Sequence, residues 1–552
     1  MANWVGSLIG RQSGRGRHPK SYLWDGWRAA LRVSQLLVAV IILGGCTALG
    51  PDFVTPAAPV EDGWVAEQDP KVKPESADFG TWWTVFNDPV LNSLTETARD
   101  QNLTLRIAGV RILEARARLG IAVGNQYPQV QDATADYRRI KQSDNFDPTG
   151  LGLPELNDIN IYDAGLNVAW ELDLWGRFRR GIESADAALG ASIADYDDVL
   201  VSLTSDVAVT YVVIRELQER LALARANVSL QQRTLEIANV RFEAGAVNEL
   251  DVQQARALLG NTQALIPDLQ ARLRQAKDAL SVLLGLPPQD LTTELGGVLP
   301  IPMPPPEVAV GIPADLVRRR PDIRRAELDA AAQSARIGIA MADLYPSFTL
   351  IGSVGLTADN FGDFFETDSI SGLAGPSFRW PILNYGRLTN NVRVQDARFE
   401  QSVINYQNTV LVALQEVEDA LVAFVRSQDQ VEFLIDSVTA SQRATELSLL
   451  QYRNGLVDYT RVLDTQQFLV LQQDRLAATQ GGVARNLIAI YRALGGGWET
   501  RGANEFVPDE TQAKMAVRTD WGRLLPPADL DKAPASGEQV RAVETLFRHP
   551  DF

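Results

Sequence analysis

Twice in this chain a strand-like alternation of apolar and polar residues gives way, at a glycine, to a very long helical pattern. The first instance is Ile161–Arg180. Tyr162, Ala164, Leu166, Val168, Trp170, Leu172 and Leu174 fall on every second position, with Asp163, Gly165, Asn167, Ala169, Glu171 and Asp173 between them. A period of two gives a strand one apolar and one polar face. At Gly176 the period stops. Beyond it a seven-residue ladder runs through Leu200, Val207, Ile214, Leu221, Val228, Leu235 and Phe242, with Leu203, Leu217 and Ala224 at complementary positions. Such a repeat implies helices supercoiled against partners. A helix unbroken from Arg177 to Ala244 would measure roughly 100 Å at ~1.5 Å per residue, and no compact globular domain of this size has room for it. Gly245 ends the pattern, and Asn248 or Asp251 can start a return helix that reaches Leu284 and Gly285.

The second instance repeats the first at a fixed distance. Ala164-Gly165 matches Ala374-Gly375, Trp175-Gly176-Arg177 matches Tyr385-Gly386-Arg387, Gly245 matches Gly455, and Leu284-Gly285 matches Leu494-Gly495, each 210 residues on. The ladder recurs at the same offset as Val410, Val417, Phe424, Val431, Val438, Thr445 and Tyr452. Upstream, Tyr345-Pro346 echoes Tyr127-Pro128. Phe348, Leu350, Gly352, Val354 and Leu356 then alternate with Thr349, Ile351, Ser353 and Gly355, while Val130, Ala133, Ala135 and Tyr137 give a weaker strand signal. A constant offset over so long a stretch is the mark of a duplication.

Each copy therefore reads helix, strand, loop, strand, long helix, turn, helix, with two strands per copy. Four strands with one apolar face cannot close a barrel, and an open sheet in lipid would leave its edges unsatisfied. Either the sheet packs on something soluble, or several chains close one barrel together. The second arrangement also supplies partners for the long helices.

Composition removes other classes. The single Cys allows no intrachain disulfide, and the two His, His18 and His549, lie near the termini, so no His-centred metal site or triad is available to the body. No Cys- or Ser-centred constellation points to an enzyme either. The net charge is −17. The first 45 residues are basic, so the body is more acidic still, which argues against nucleic acid as a partner. Acids lining a pore would favour cations.

The N-terminus reads as a signal. Arg11, Arg15, Arg17, Lys20, Arg28 and Arg32 precede the apolar run Leu36–Leu43, too short to span a bilayer and followed by Gly44-Gly45-Cys46. Leu43-Gly44-Gly45-Cys46 resembles a bacterial lipobox, in which Cys46 becomes the lipidated first residue, carrying a diacylglycerol thioether and an N-acyl chain. Thr47 at the next position implies, by the same resemblance, sorting to the outer membrane.

The expected organisation is a signal peptide over 1–45 and a lipidated, extended tether over 46–80. A first repeat follows over 81–285, with strands at about 128–140 and 161–174 and long helices at about 177–244 and 248–285. A Pro-rich linker covers 286–313. A second repeat covers 314–497, with strands at about 346–357 and 372–384 and long helices at about 386–454 and 458–495. A polar tail, 498–552, outside the repeat and periplasmic by the resemblance set out below, either wraps the helices or stays disordered. Within the first repeat Asp88 is set to cap a helix that Pro89 starts. In the second, Pro321 starts a helix with Asp322 and Glu327 near its positive end, and Arg318, Arg319 and Arg320 are expected to pair with nearby acids.

Taken together, several motifs give the chain a close resemblance to the outer-membrane efflux channels of the TolC/OprM type, in their NodT-like lipoprotein branch. These are the lipobox at Cys46, Trp82-Trp83-Thr-Val-Phe86-Asn-Asp-Pro89, Asn102-Leu-Thr-Leu-Arg106, Ala164-Gly165 through Glu171-Leu-Asp-Leu-Trp-Gly-Arg177, Leu316–Glu327 and Tyr345-Pro346. The resemblance covers about residues 46–498. It implies a membrane α+β fold: a homotrimer whose twelve-stranded β-barrel, four strands per chain, sits in the outer membrane and continues into a periplasmic α-helical barrel. It implies a periplasmic adaptor protein and an inner-membrane pump, commonly of the resistance-nodulation-division class, as partners. It implies passive export of small molecules, with no enzyme activity, no metal and no cofactor beyond the lipid on Cys46.

The resemblance also assigns roles. Gly176 and Gly386 mark the junction from barrel to helices, with the apolar strand face toward lipid and Asp163, Asn167, Glu171 and Asp173 toward the lumen. Trp170, Trp175, Phe378, Trp380 and Tyr385 read as interfacial anchors. Gly245 and Gly455 turn the helices at the periplasmic tip, where glycine takes the left-handed conformation after a helix. In the second turn Thr460 and Asp464 are the constriction candidates, with Asp458, Tyr459 and Arg461 as latch partners; three chains make each Asp a ring of three. Ordinary capping and surface ion pairs are the other reading of these residues. Two other functions share some of these features: the outer-membrane part of a type I protein secretion system, and a pore-less coiled-coil lipoprotein, which leaves four alternating strands unexplained.

Overall fold

The computed structural model describes residues 48–75, 79–141, 159–501 and 506–525, with residues 317 and 318 described by backbone alone. The proposed lipid site Cys46, most of the first strand-connecting loop and the end of the tail lie outside the described residues. In chain order the elements are β1 Val72–Lys73, α1 Pro89–Gln101, α2 Leu103–Gly124, β2 Val130–Ile140, β3 Ile159–Glu171, α3 Arg177–Glu243, α4 Glu249–Leu283, β4 Val308–Ala309, α5 Pro313–Arg319, α6 Pro321–Ala342, β5 Ser347–Ala358, β6 Ile370–Arg379, α7 Arg387–Arg453, α8 Tyr459–Ala493 and α9 Asp509–Arg518. Helices α3 and α7 are 67 residues each and start 210 residues apart. The chain divides into a unit built on the four-stranded sheet and a larger helical unit.

In the sheet unit the order is β2-β3-β5-β6, antiparallel throughout. Leu166 pairs with Ala133 and Val354, and Ala164 with Ala135 and Leu356, so these residues share one face with Tyr137, Tyr162 and Trp170. Asp163 pairs with Asp136 and Thr357, and Asn167 with Asp132 and Ser353, so the opposite face is polar. Thr357 donates to the Asp163 carboxylate at 2.8 Å and the Asn167 amide to Thr134 at 3.1 Å. Val130 falls on this polar face, across from Ala169. Among the described residues no helix is long and apolar enough to cross a membrane; the two-faced sheet is the element with an apolar surface to offer.

Two expectations for the strands are corrected. Asp173 does not join Asp163, Asn167 and Glu171 on the polar face. Strand β3 stops at Glu171, and the Asp173 carboxylate accepts from the backbone N–H of Phe178 at 3.2 Å and of Arg179 at 3.0 Å, and from the Arg179 guanidinium at 3.2 Å. It caps α3, because the first N–H groups of a helix need an acceptor and favour negative charge. Strand β6 ends at Arg379 rather than near residue 384, since Pro381 has no N–H to continue the ladder. Trp175 and Trp380 are tied down: their indoles donate to the carbonyls of Pro346 at 2.7 Å and Leu344 at 3.1 Å. Tyr385, by contrast, is 98% exposed.

Gly176 and Gly386 take the same left-handed backbone, with φ of 77° and 78°. Their surroundings differ. A Cβ on Gly176 would lie 2.5 Å from the Cβ of Ala48, whereas one on Gly386 would meet nothing closer than 3.6 Å. Leu49 donates its N–H to the Trp175 carbonyl at 3.0 Å, fixing the incoming chain at this junction.

The helical unit has its core where Trp82 stacks on Tyr491, with ring centroids 5.3 Å apart, and where Leu91, Ile112, Leu200, Val207, Ile214, Val410, Val417, Phe424 and Leu487 are buried together. Asp88 caps α1 by accepting from Val90 and Leu91, and its second oxygen accepts from Tyr211 at 2.5 Å. Arg320 bonds both oxygens of Asp322 at 2.9 and 2.7 Å, Glu416 at 2.7 Å and the Ala493 carbonyl at 2.9 Å. Burial alone would lower its pKa; the bonds and charges of Asp322 and Glu416 carry it above the usual value.

The expected tether is extended but strapped to the helices. Asp52 pairs with Arg180 at 2.8 Å, the Trp64 indole donates to Gly311 at 2.9 Å, and Lys71 pairs with Asp429 at 2.9 Å. The Glu418 carboxylate accepts from the N–H groups of Val65 and Ala66. Strand β1 pairs in parallel with β4, which comes from the Pro-rich linker. The described part of the tail packs as well: Phe506 meets Tyr196 edge-on at 5.3 Å, Arg501 pairs with Asp197 at 2.6 Å, and Met515 of α9 is buried.

Candidate functional site

The two turns that reverse the long helices have the same local geometry. After α3, Gly245 at φ 74° lets Ala246 N–H reach the Arg241 carbonyl at 2.8 Å; after α7, Gly455 at φ 75° lets Leu456 N–H reach Gln451 at 2.9 Å. These bonds satisfy the last carbonyls of each helix, and the positive φ costs a glycine little. Between the turns lies a small apolar cluster of Ala238, Val252, Ala255, Tyr452, Tyr459 and Val462, separate from the main core.

At its centre is Tyr452, fully buried. Its hydroxyl donates to Asp251 at the start of α4 at 3.1 Å, the Arg241 guanidinium lies 4.6 Å from its ring centroid, and the Tyr459 ring meets it edge-on at 5.5 Å. One side chain thus joins the end of α7 to the ends of α3, α4 and α8. Burial first, then the charge and hydrogen bond of Asp251, push the Tyr452 hydroxyl up to about 12. Tyr459 is pushed up as well, by burial and then by Tyr452 and Asp251.

The residues singled out from the sequence divide here. Tyr459 is buried in this cluster. Thr460, Asp464, Asp458 and Arg461 are exposed in the single chain, with Thr460 and Asp464 on one side of α8 one turn apart. The sequence places Tyr452 on the ladder and Asp251 at a helix start; it does not show that they pair, or that Arg241 lies beside them. One signal could have found them: Tyr452 stands 210 residues after Phe242, and the hydroxyl it adds at a ladder position needs a partner.

Away from the tip the interhelical contacts turn polar. Beyond Leu221 the buried positions of α3 are Ala224, Asn227, Gln231, Thr234 and Ala238, while the ladder positions Val228 and Leu235 are half-buried and Phe242 is 43% exposed. Asn227 donates to Gln473 of α8 at 2.8 Å, Gln466 to Thr234 at 2.9 Å, and Arg220 pairs with Asp474 at 2.7 Å. Ser448 and Thr465 are 2.8 Å apart across α7 and α8. In α7 the ladder itself stays buried through Val438, Thr445 and Tyr452. Such contacts bury little apolar area, so the stretch between the main core and the tip cluster is held by directional bonds more than by hydrophobic burial.

Comparison with known proteins fits this geometry. Residues 94–286 and 312–496 match the family described as outer membrane efflux protein, one segment for each repeat. Nodulation protein T of Rhizobium leguminosarum bv. viciae is 32% identical over 462 residues, which is 84% of this chain and 92% of that protein. The pyoverdine export outer membrane protein OpmQ of Pseudomonas putida is 32% identical over 84% of this chain and 97% of its own length. The outer-membrane channel OprN superposes with a TM-score of 0.76 at 33% identity, covering 82% of this chain and 99% of that one. The open state of the Neisseria gonorrhoeae MtrE outer membrane channel gives a TM-score of 0.71 at 27% identity, covering 82% of this chain and 99% of that one. The fold is that of trimeric channels in which three four-stranded sheets form one β-barrel and the long helices an α-helical barrel. The chain belongs to the outer membrane efflux protein family and is the outer-membrane channel of an efflux system.

Proposed function

We propose that this chain is a lipid-anchored, passive duct whose periplasmic end is closed by the helix turns and opened by its partners. The observation that carries this reading is the Tyr452 cluster. It ties four helix ends together through one hydrogen bond and two ring contacts, in a small cluster separated from the main core by a stretch of polar interhelical contacts. Breaking that bond frees α7 and α8 to move against α3 and α4 without disturbing the main core. Regions with few buried apolar contacts are the ones that open at low cost.

In the trimer Thr460 and Asp464 of α8 form the constriction, and each Asp becomes one of three carboxylates around the axis, favouring cations. Asp458 and Arg461 lie at the mouth, where an adaptor protein docks. The partners are a periplasmic adaptor and an inner-membrane pump of the resistance-nodulation-division class, and the exported compounds are small molecules. Cys46 carries the lipid. Ala48, two residues on, lies against Gly176 at the start of α3, which supports an anchor close to the junction of sheet and helices.

Two experiments test this. Reconstituted trimer in planar bilayers should form channels that are mostly closed and that open more often when Tyr452 loses its hydroxyl; a folded trimer that conducts no ions refutes the duct. Mass spectrometry of the mature N-terminus should find the diacylglycerol thioether and N-acyl chain on Cys46, and an unmodified Cys46 refutes the anchor.

A further inference from the structure

The loop between β5 and β6, residues 359–369, is short, acidic and carries three phenylalanines. It is held by its own turns. Asn360 accepts from Gly362 N–H at 3.1 Å, and backbone bonds run from Asp363 to Asn360, from Phe364 to Phe361 and from Glu366 to Asp363. Ser369 donates to the Asp363 carbonyl at 2.7 Å. The loop therefore presents its rings in fixed positions.

Those rings lie over one face of the sheet. Phe361 meets Tyr162 at 5.4 Å and Phe364 meets it at 6.4 Å, while Tyr162 is packed 4.9 Å from Tyr137. Phe365 closes the group against Phe364 at 5.1 Å. Tyr162 and Tyr137 are register partners on the apolar face, the face that includes Ala164, Leu166 and Leu356. The loop thus folds over the apolar side of the strands. Yet Phe361 is 60% and Phe365 75% exposed, next to the carboxylates of Asp359, Asp363, Glu366 and Asp368.

We infer that this loop is a membrane anchor: Phe361 and Phe365 extend the lipid-facing surface of the barrel past the ends of the strands and sit in the interfacial zone of the outer leaflet. The occupant follows from continuity, since the face they prolong is the one the barrel turns to lipid, and aromatic rings concentrate where hydrocarbon meets headgroups. The four carboxylates stay in water above the rings. A loop serving as a lid over the channel mouth would place its rings on the polar face, with Asp163 and Asn167, whereas Phe361 and Phe364 pack on Tyr162 of the apolar face and Phe365 packs on those two rings.

The test is site-directed spin labelling of the full-length trimer in vesicles of phosphatidylethanolamine and phosphatidylglycerol. Labels are placed by Phe361→Cys and Phe365→Cys, with Ser377→Cys on the polar face as the aqueous reference and unsubstituted protein as background for Cys46. The expected result is greater collision with dissolved oxygen than with a water-soluble nickel chelate at 361 and 365, and the reverse at 377. Greater nickel access at 361 and 365, or labels shielded from both agents, overturns the proposal, the second result meaning that a neighbouring chain covers the rings. Channel conductance gives an independent reading. The double variant Phe361→Ser, Phe365→Ser should conduct like the unsubstituted trimer, and a rise in unit conductance would show a lid and overturn the anchor.

Discussion

Replacing Tyr452 with phenylalanine removes one oxygen from the helix tips and leaves the ring, its burial and its contacts with Arg241 and Tyr459 in place. What is lost is the 3.1 Å bond to the Asp251 carboxylate. A hydrogen bond to a charged group contributes about 1.5–3 kcal/mol, so three copies acting together contribute roughly 5–9 kcal/mol. Inverting a two-state equilibrium from 1:99 to 99:1 takes about 5.5 kcal/mol. At about 2 kcal/mol per bond, loss of all three in a concerted opening is about 6 kcal/mol, enough to convert a mostly closed channel into a mostly open one. The assay is single-channel recording in planar bilayers, with open probability as the readout and thermal denaturation of the trimer as the check on folding. The hydroxyl titrates from 10.0 in the unfolded chain to about 12 in the fold. A folded pKa above the unfolded value means the contribution is complete below about pH 10 and disappears as pH rises through about 12. Open probability of the unsubstituted channel should thus be flat from pH 7 to 9 and climb between about 10 and 12, a rise absent from the Tyr452→Phe channel. A variant with unchanged open probability and unchanged stability would refute the latch.

Other perturbations separate the constriction from the scaffold. Asp464→Asn should leave open probability alone and reduce preference for cations in reversal-potential measurements, because it removes three exposed charges without touching the Tyr452 cluster. Arg320→Met breaks a buried ion pair and strands Asp322, at a cost of about 3–5 kcal/mol, which should appear as a lowered melting temperature by circular dichroism; Arg320→Lys should recover only part, since it cannot make the paired bonds to Asp322 at 2.9 and 2.7 Å. Gly176→Ala and Gly386→Ala each force a left-handed residue at about 1–2 kcal/mol, but Gly176→Ala must also displace Ala48 and should lower the yield of folded trimer further.

Much of this architecture is legible in the residues. The strand alternation at Tyr162–Trp170, the glycines at 176 and 386 and the 210-residue offset depend only on local periodicity and on backbone conformations that glycine favours, and these survive in any tertiary context. Asp88 with Pro89 is legible for the same reason, since cap and helix start are adjacent, whereas Arg320 finds Glu416 and the Ala493 carbonyl 96 and 173 residues away. Asp173 was misassigned because alternation has no mark for where a strand stops and a helix begins to need acceptors. The extended N-terminal segment showed its conformation but not its contacts, since Glu418 and Asp429 lie more than 350 residues away.

By itself the sequence determined that the chain is a duplicated strand-and-long-helix unit with one apolar sheet face, one polar face and glycine turns, because repeat spacing and side-chain period are one-dimensional properties. Only the tertiary structure decided how the two copies differ. Phe242 and Tyr452 occupy equivalent positions 210 residues apart, yet one is 43% exposed and the other fully buried against Asp251 and Arg241. A heptad ladder specifies that a stripe is apolar, not which neighbour covers it. That depends on where four helix ends converge, and convergence is a property of packing in three dimensions.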